Sequence, residues 1–85
     1  MDVPGTHQDG AEIRRLREKA GYGRTEFAGR AQIAASSLTN IENGNRQAGL
    51  DVLTRIAAAL DVPVIYLVKP GTPLYAVITS SASAS

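Results

Sequence analysis

Short amphipathic stretches separated by helix-stopping residues predict an all-α fold, with one candidate β-strand near the C-terminus. Three observations carry this expectation. Apolar residues recur at helical spacing, most cleanly at Leu50, Leu53, Ile56, Ala57 and Leu60. Gly21, Asn43-Gly44 and Pro63 punctuate the periodic segments with residues that end helices. A chain of 85 residues that is 44% hydrophobic and 20% charged has the composition of one small globular domain.

The elements follow in order. Residues 1–9, with Pro4, Gly5 and few apolar groups, read as a flexible N-terminal arm. Asp9 is a good cap for a first helix over about 10–20, with Glu12 favourable in its first turn and Ile13, Leu16 and Ala20 on one face. A second helix over about 24–31 turns Phe27, Ala28 and Ala31 to one side. After a break at Gln32-Ile33, a third covers about 35–43 with Leu38 and Ile41 inward, and residues 43–49 form a loop. The fourth, about 50–60, ends at Asp61-Val62-Pro63, and Pro63 can open a fifth short helix. Residues 64–68 have a β-branched content that favours a strand, but they are too few for periodicity to separate strand from helix. Residues 69–73 read as a turn, 74–79 as the best strand candidate because of their β-branched and aromatic content, and 80–85 as a disordered polar tail.

Composition also restricts function. The absence of cysteine excludes disulfides, Cys-ligated zinc and thiol catalysis. His7 is the single histidine, so a multi-histidine metal site within one chain is not available, and its place in the N-terminal arm argues against a Ser-His-Asp triad. An enzyme is not expected, nor a metal, a cofactor or a small-molecule ligand. No apolar run reaches the roughly 18 residues that a bilayer span needs, and the expected location is the cytoplasm, in association with the nucleoid. Net charge is only +1, but six of the nine basic residues crowd between Arg14 and Arg30. On charge alone this cluster suits a DNA footprint and a solvated helix face equally.

The spacing of the second and third helices is more specific. Two short helices within Arg24–Asn43 have the length of a helix-turn-helix, whose second helix can enter the major groove of DNA. Residues 16–67 resemble the Cro/lambda-repressor-like (XRE-type) helix-turn-helix domain. The landmarks are Leu16, Gly21, Glu26, Phe27, Ala28, Ile33, Ser37, Leu38, Ile41, Glu42, Gly44, Leu50, Leu53, Ile56, Ala57, Leu60, Val62 and Leu67. The resemblance needs no gap over about fifty of the 85 residues. It implies a five-helix domain over residues 10–68 that binds double-stranded DNA in a sequence-specific way, usually as a homodimer on a near-palindromic operator.

Carried over residue by residue, the resemblance assigns base reading to Ala35, Ser36 and Asn40. Asn40 can pair with adenine N6 and N7, Ser36 can donate or accept, and Ala35 can touch a thymine methyl. It assigns backbone contacts to Arg24 at the start of the second helix, to Ser37 and Thr39 beside the readers, and to Asn43, Asn45 and Arg46 in the following loop. Arg17 and Glu42 match a pair that ties the first helix to the third and can leave the guanidinium facing a phosphate. Two positions depart from the family pattern. Gln32 stands where a turn glycine is usual, at a cost of about 1 kcal/mol if the backbone is left-handed. Ala34 replaces the usual Ser or Thr cap, giving up about 0.5–2 kcal/mol.

At the end of the family core and beyond it, residues 64–68 and 74–79 are more apolar than a domain of this size easily buries, which points to an interface. One arrangement dimerises through the fifth helix, with the tail folded on its own subunit. The other pairs strand 74–79 with its mate across a two-fold axis. The candidate interface residues are Tyr66, Leu67, Val68, Leu74, Tyr75, Val77 and Ile78. The function expected is a homodimeric transcriptional regulator, a repressor of bacterial or phage type. The alternative is an antitoxin-type module that holds a toxin protein with its C-terminal tail and regulates its own operon. A purely structural adaptor is a third.

Overall fold

The structure, a computed structural model, describes residues 6–83. The helices are α1 (Gly10–Lys19), α2 (Arg24–Ala31), α3 (Ala35–Asn43), α4 (Leu50–Leu60) and α5 (Pro73–Ser83), with a single 3-10 turn at Val64–Leu67 between the last two. Among the described residues there is no named strand, only an isolated antiparallel bridge between Gln8 and Val68.

Each helix boundary has a local cause. The Asp9 side chain accepts from the Glu12 N–H and caps α1. Gly21, at φ 86°, turns the chain toward α2. Gln32 closes α2 at φ 61°, the left-handed conformation that glycine would adopt more cheaply, and Ala34 starts α3 with no side-chain cap. Gly44, at φ 77°, ends α3, and Asp61 ends α4 at φ 59°.

The core draws on every segment through residue 68. Ile13, Phe27, Ala28, Ala31, Leu38, Ile41, Ala48, Leu53, Ile56, Ala57, Leu67 and Val68 are all buried. Packing runs α1 on α3, α2 on α3, α2 on α4, and the 3-10 turn against α4, α1 and α5. Where α1 crosses α3, Gly10 lies so close that a Cβ there would sit 2.6 Å from the Ile41 carbonyl oxygen. Leu50, apolar by spacing, is exposed at the first position of α4.

Both ends of the chain correct the sequence expectations. Residues 6–9 of the supposed flexible arm are packed. Gln8 is fully buried, the Lys69 N–H donates to the His7 carbonyl at 2.8 Å, and the Asp9 N–H donates to the Leu67 carbonyl at 2.7 Å. Residues 1–5 of that arm lie outside the described residues.

At the other end, residues 74–79 are helical, not a strand, and residues 80–83 continue the same helix rather than forming a disordered tail. Residues 84–85 lie outside the described ones. Pro73 occupies the first helical position, where its missing N–H costs nothing. The Ala76 N–H reaches the Thr72 carbonyl at 3.2 Å, and the Tyr75 N–H reaches Thr72 Oγ1 at 3.4 Å. With no sheet edge to pair with, the segment satisfies its backbone internally, which overrides the strand preference of its residue types. Leu74, Tyr75 and Ile78 pack partly on the core, whereas Val77 faces outward.

Candidate nucleic-acid interface

The candidate surface is built from α2, the turn at residues 32–34 and α3. Leu38 and Ile41 anchor α3 in the core beside the buried Glu42, which leaves the helix an opposite, open side. Ser36, Asn40 and Asn43 follow one another at helical spacing there, with Ser36 and Asn43 exposed and Asn40 half-buried. Ala35 is half-buried against the core, which leaves a methyl group and little else to present. Arg24 stands at the start of α2 with 42% of its side chain exposed. Asn45 and Arg46 are exposed on the loop after α3.

Two of the predicted contacts meet directly. Arg46 Nη1 donates to Ser37 Oγ at 3.3 Å, placing the loop cation over the first half of α3 and leaving the Ser37 hydroxyl proton free to donate elsewhere. Thr39 is engaged differently. Its half-buried hydroxyl donates to the Ala35 carbonyl at 3.1 Å, so its one proton is already used.

Arg17 is corrected. It ties α1 to α3, but it faces no solvent from which a phosphate could approach. Its side chain is 5% exposed and that of Glu42 is 0%. Arg17 Nε donates to Glu42 Oε2 at 2.7 Å, Nη2 to Glu42 Oε1 at 3.2 Å, and Nη1 to the Tyr22 carbonyl at 2.8 Å. The hydrogen bonds to Glu42 raise the Arg17 pKa above its already high ordinary value, so the guanidinium stays charged. Arg24 Nε approaches Glu42 Oε1 at 3.6 Å from the solvent side. Arg24 thus carries its charge outward at the start of α2, with Glu26 supplying a carboxylate in the same turn.

Of the candidate interface residues at the C-terminal end, Leu67 and Val68 are taken up by the chain's own core, at 0% and 3% exposure. Tyr66 and Val77 are the exposed ones, at 59% and 58%. The 3-10 turn explains the split, because it directs Leu67 inward and the neighbouring Tyr66 outward. Pro63, Val64, Ile65, Ile78 and Thr79 line an adjacent groove of about 350 Å³.

The sequence reading missed the support behind the loop. Gln8 and His7 hold residues 46–48 from behind through side-chain hydrogen bonds. Their partners lie about forty positions away, so no local pattern announces them. Among the described residues, no cluster of His, Cys, Asp or Glu could hold a metal ion, and no helix is long and apolar enough to cross a membrane.

Comparison with known proteins agrees with this geometry. The family described as "Helix-turn-helix domain" matches residues 10–65. Over 62 residues the chain is 39% identical to a protein of Pyrococcus furiosus named as an HTH-type transcriptional regulatory protein, covering 73% of this chain and 19% of that one. A Sinorhizobium fredii protein named as an HTH-type transcriptional regulator, y4dL, is 32% identical over 74 residues, covering 87% of this chain and 38% of its own. The chain therefore spans only about a fifth to two fifths of the length of these curated relatives. Among solved structures, the restriction-modification controller protein C.AhdI of Aeromonas hydrophila superposes with a TM-score of 0.67 at 25% identity, covering 71% of this chain and 91% of its own. The biofilm master regulator SinR, solved in complex with DNA, gives 0.63 at 34% identity, covering 65% and 89%. The clp gene regulator ClgR of C. glutamicum covers 98% of this chain and 97% of its own with a TM-score of 0.66, and at 20% identity it is a likeness of fold. The fold, the α2–turn–α3 geometry and the family match together establish that this chain belongs to the helix-turn-helix domain family, in its XRE (Cro/lambda-repressor-like) branch.

Proposed function

We propose that this chain binds double-stranded DNA in a sequence-specific way and regulates transcription as a homodimeric repressor on a near-palindromic operator. The observation that carries the reading is α3 itself, anchored by Leu38 and Ile41, open and polar on its other side, and flanked by the exposed cations Arg24 and Arg46. Placed in a major groove, Asn40 pairs with an adenine edge, Ser36 reads a neighbouring base and Ala35 meets a thymine methyl. Arg24, Ser37, Asn43, Asn45 and Arg46 hold the phosphates on either side, and these contacts fix register rather than sequence. Thr39 can join them only by giving up its bond to Ala35. The DNA complex of SinR and the regulator names of the relatives support this reading.

The homodimer rests on the apolar surface at the C-terminal end. Tyr66 and Val77 are large apolar groups left in water, beside the groove at Pro63 and Ile78 and the half-buried Leu74 and Tyr75. A second subunit covering this surface would face its twin across a two-fold axis, with recognition helices about 34 Å apart for successive major grooves. The same surface is what an antitoxin-type reading would give to a toxin protein, and the oligomeric state of the purified chain separates the two. A stable dimer favours the repressor, and a monomer that dimerises only with a partner favours the antitoxin.

Selection of bound duplexes from a random pool tests the whole reading. Enrichment of two inverted half-sites about one helical turn apart is expected. A single asymmetric site would overturn the symmetric dimer, and no enrichment would overturn sequence-specific binding.

A further inference from the structure

Arg46 reaches the proposed DNA face from a loop whose backbone is gripped from behind by the N-terminal segment. Gln8 is fully buried there. Its Nε2 donates to the Arg46 carbonyl at 2.7 Å and to the Ile41 carbonyl at 3.2 Å, while its Oε1 accepts from the Ala48 N–H at 3.1 Å. His7 adds to the grip. Its backbone N–H donates to Gln47 Oε1 at 2.8 Å, and its ring Nε2 is hydrogen-bonded to the Ala48 carbonyl. The segment is itself fixed to residues 67–69 by the main-chain bonds on either side of the Gln8–Val68 bridge.

The chemistry of this pocket selects glutamine. Two carbonyl oxygens require donors and one N–H requires an acceptor, and a primary amide supplies both on one planar group. Glutamate would set an oxygen against two carbonyls, and leucine would strand all three backbone groups in the interior. We infer that Gln8 is the positioning residue for Arg46, holding the loop backbone so that the guanidinium stays over Ser37 and in line with a phosphate. This inference rests on the DNA reading of Arg46 proposed above. It assigns a role in DNA binding to a residue that touches no DNA and lies at the opposite end of the chain from the C-terminal surface.

The test is a binding cycle on the selected duplex with the full chain. Wild type, Arg46→Ala, Gln8→Ala and the double variant are titrated at several salt concentrations, at a temperature where unfolding curves show all four folded. Arg46→Ala should weaken binding about tenfold, as expected for a lost charge-assisted hydrogen bond. It should also make the log–log salt slope shallower by about one unit per bound subunit. Gln8→Ala should move affinity and slope in the same direction, and should change neither further once Arg46 is gone. A folded Gln8→Ala protein with wild-type affinity and slope overturns the inference. So does an equal loss with and without Arg46, because a merely structural role predicts that independence. If Gln8→Ala fails to fold, Gln47→Ala removes only the acceptor of the His7 N–H. It should then give a smaller loss that vanishes in the Arg46→Ala background, and no loss in either background counts against the inference. Should Arg46→Ala itself bind DNA like wild type, the DNA reading of the loop falls and takes the inference with it. Failure at Gln8 alone leaves the Arg46 effect standing.

Discussion

Residues 6–10 and residues 73–83 lie against the same short segment, 64–69, from opposite ends of the chain, and they are held by different forces. The N-terminal segment is polar and is held by directional hydrogen bonds, each with a single partner at a fixed distance. The C-terminal helix is apolar over its first half, where Leu74, Tyr75 and Ile78 make partial, non-directional packing contacts. The polar end is therefore the more deeply buried, with Gln8 fully enclosed, while the apolar end leaves Val77 in water. Burial here follows the supply of partners, not hydropathy. A polar side chain whose every hydrogen bond is met can sit inside, and a helix packed on one side leaves its other faces in water.

The contrast can be broken or sharpened by substitution. The largest effect belongs to the other fully enclosed polar contact. Glu42→Ala leaves Arg17 charged and buried without its carboxylate and should destabilise by about 3–5 kcal/mol. Denaturant unfolding of Glu42→Ala, Arg17→Ala and the double variant should give a large coupling energy, and additive losses would mean the two charges act independently. Gln8→Leu comes next, at about 2–4 kcal/mol, because a shape that fits still strands buried backbone donors and acceptors. If it proved neutral in the same assay, directional bonding would not be what holds the N-terminal segment. Thr72→Ala should cost about 0.5–1 kcal/mol through the weakened start of α5. Hydrogen exchange should show the loss confined to residues 73–83, and a loss shared by the whole domain would tie α5 to the core more firmly than its packing suggests. Val77→Ser should change monomer stability by less than about 0.5 kcal/mol. Sedimentation should nevertheless show weaker self-association, and an unchanged dimer would move the interface elsewhere.

What was legible in the sequence divides along the same line. The helices from α1 to α4 announce themselves because each rests on local signals, such as Asp9 before α1, the periodic Leu53, Ile56 and Ala57, and Asn43-Gly44 at the end of α3. The left-handed Gln32 and the bare cap at Ala34 were readable as departures at positions whose geometry the turn dictates. The link between Arg17 and Glu42 came from a family pattern, but its depth did not. Only the packing of α1 on α3, close enough to admit nothing beyond Gly10, shows that this arginine is sealed from solvent. The α5 segment was misread because Val, Ile, Thr and Tyr favour strands only when a sheet exists to receive them, and Thr72-Pro73 was the overlooked helix-start signal. Gln8 was invisible because its partners at Ile41, Arg46 and Ala48 are brought to it only by the finished fold.

The main-chain bonds that join residues 7–9 to residues 67–69 have a mechanical consequence. His7 pairs with Lys69 and Asp9 with Leu67, in antiparallel sense, so the chain enters at Thr6 and leaves at Pro70 from the same end of this short ladder. Tension applied between those two points opens such a ladder one rung at a time instead of shearing all of its bonds together. The first rung to part is His7–Lys69, and the next releases Gln8 from beside Val68. A pull between Thr6 and Pro70 thus reaches the backing of the Arg46 loop before it loads the four helices around Phe27 and Leu53.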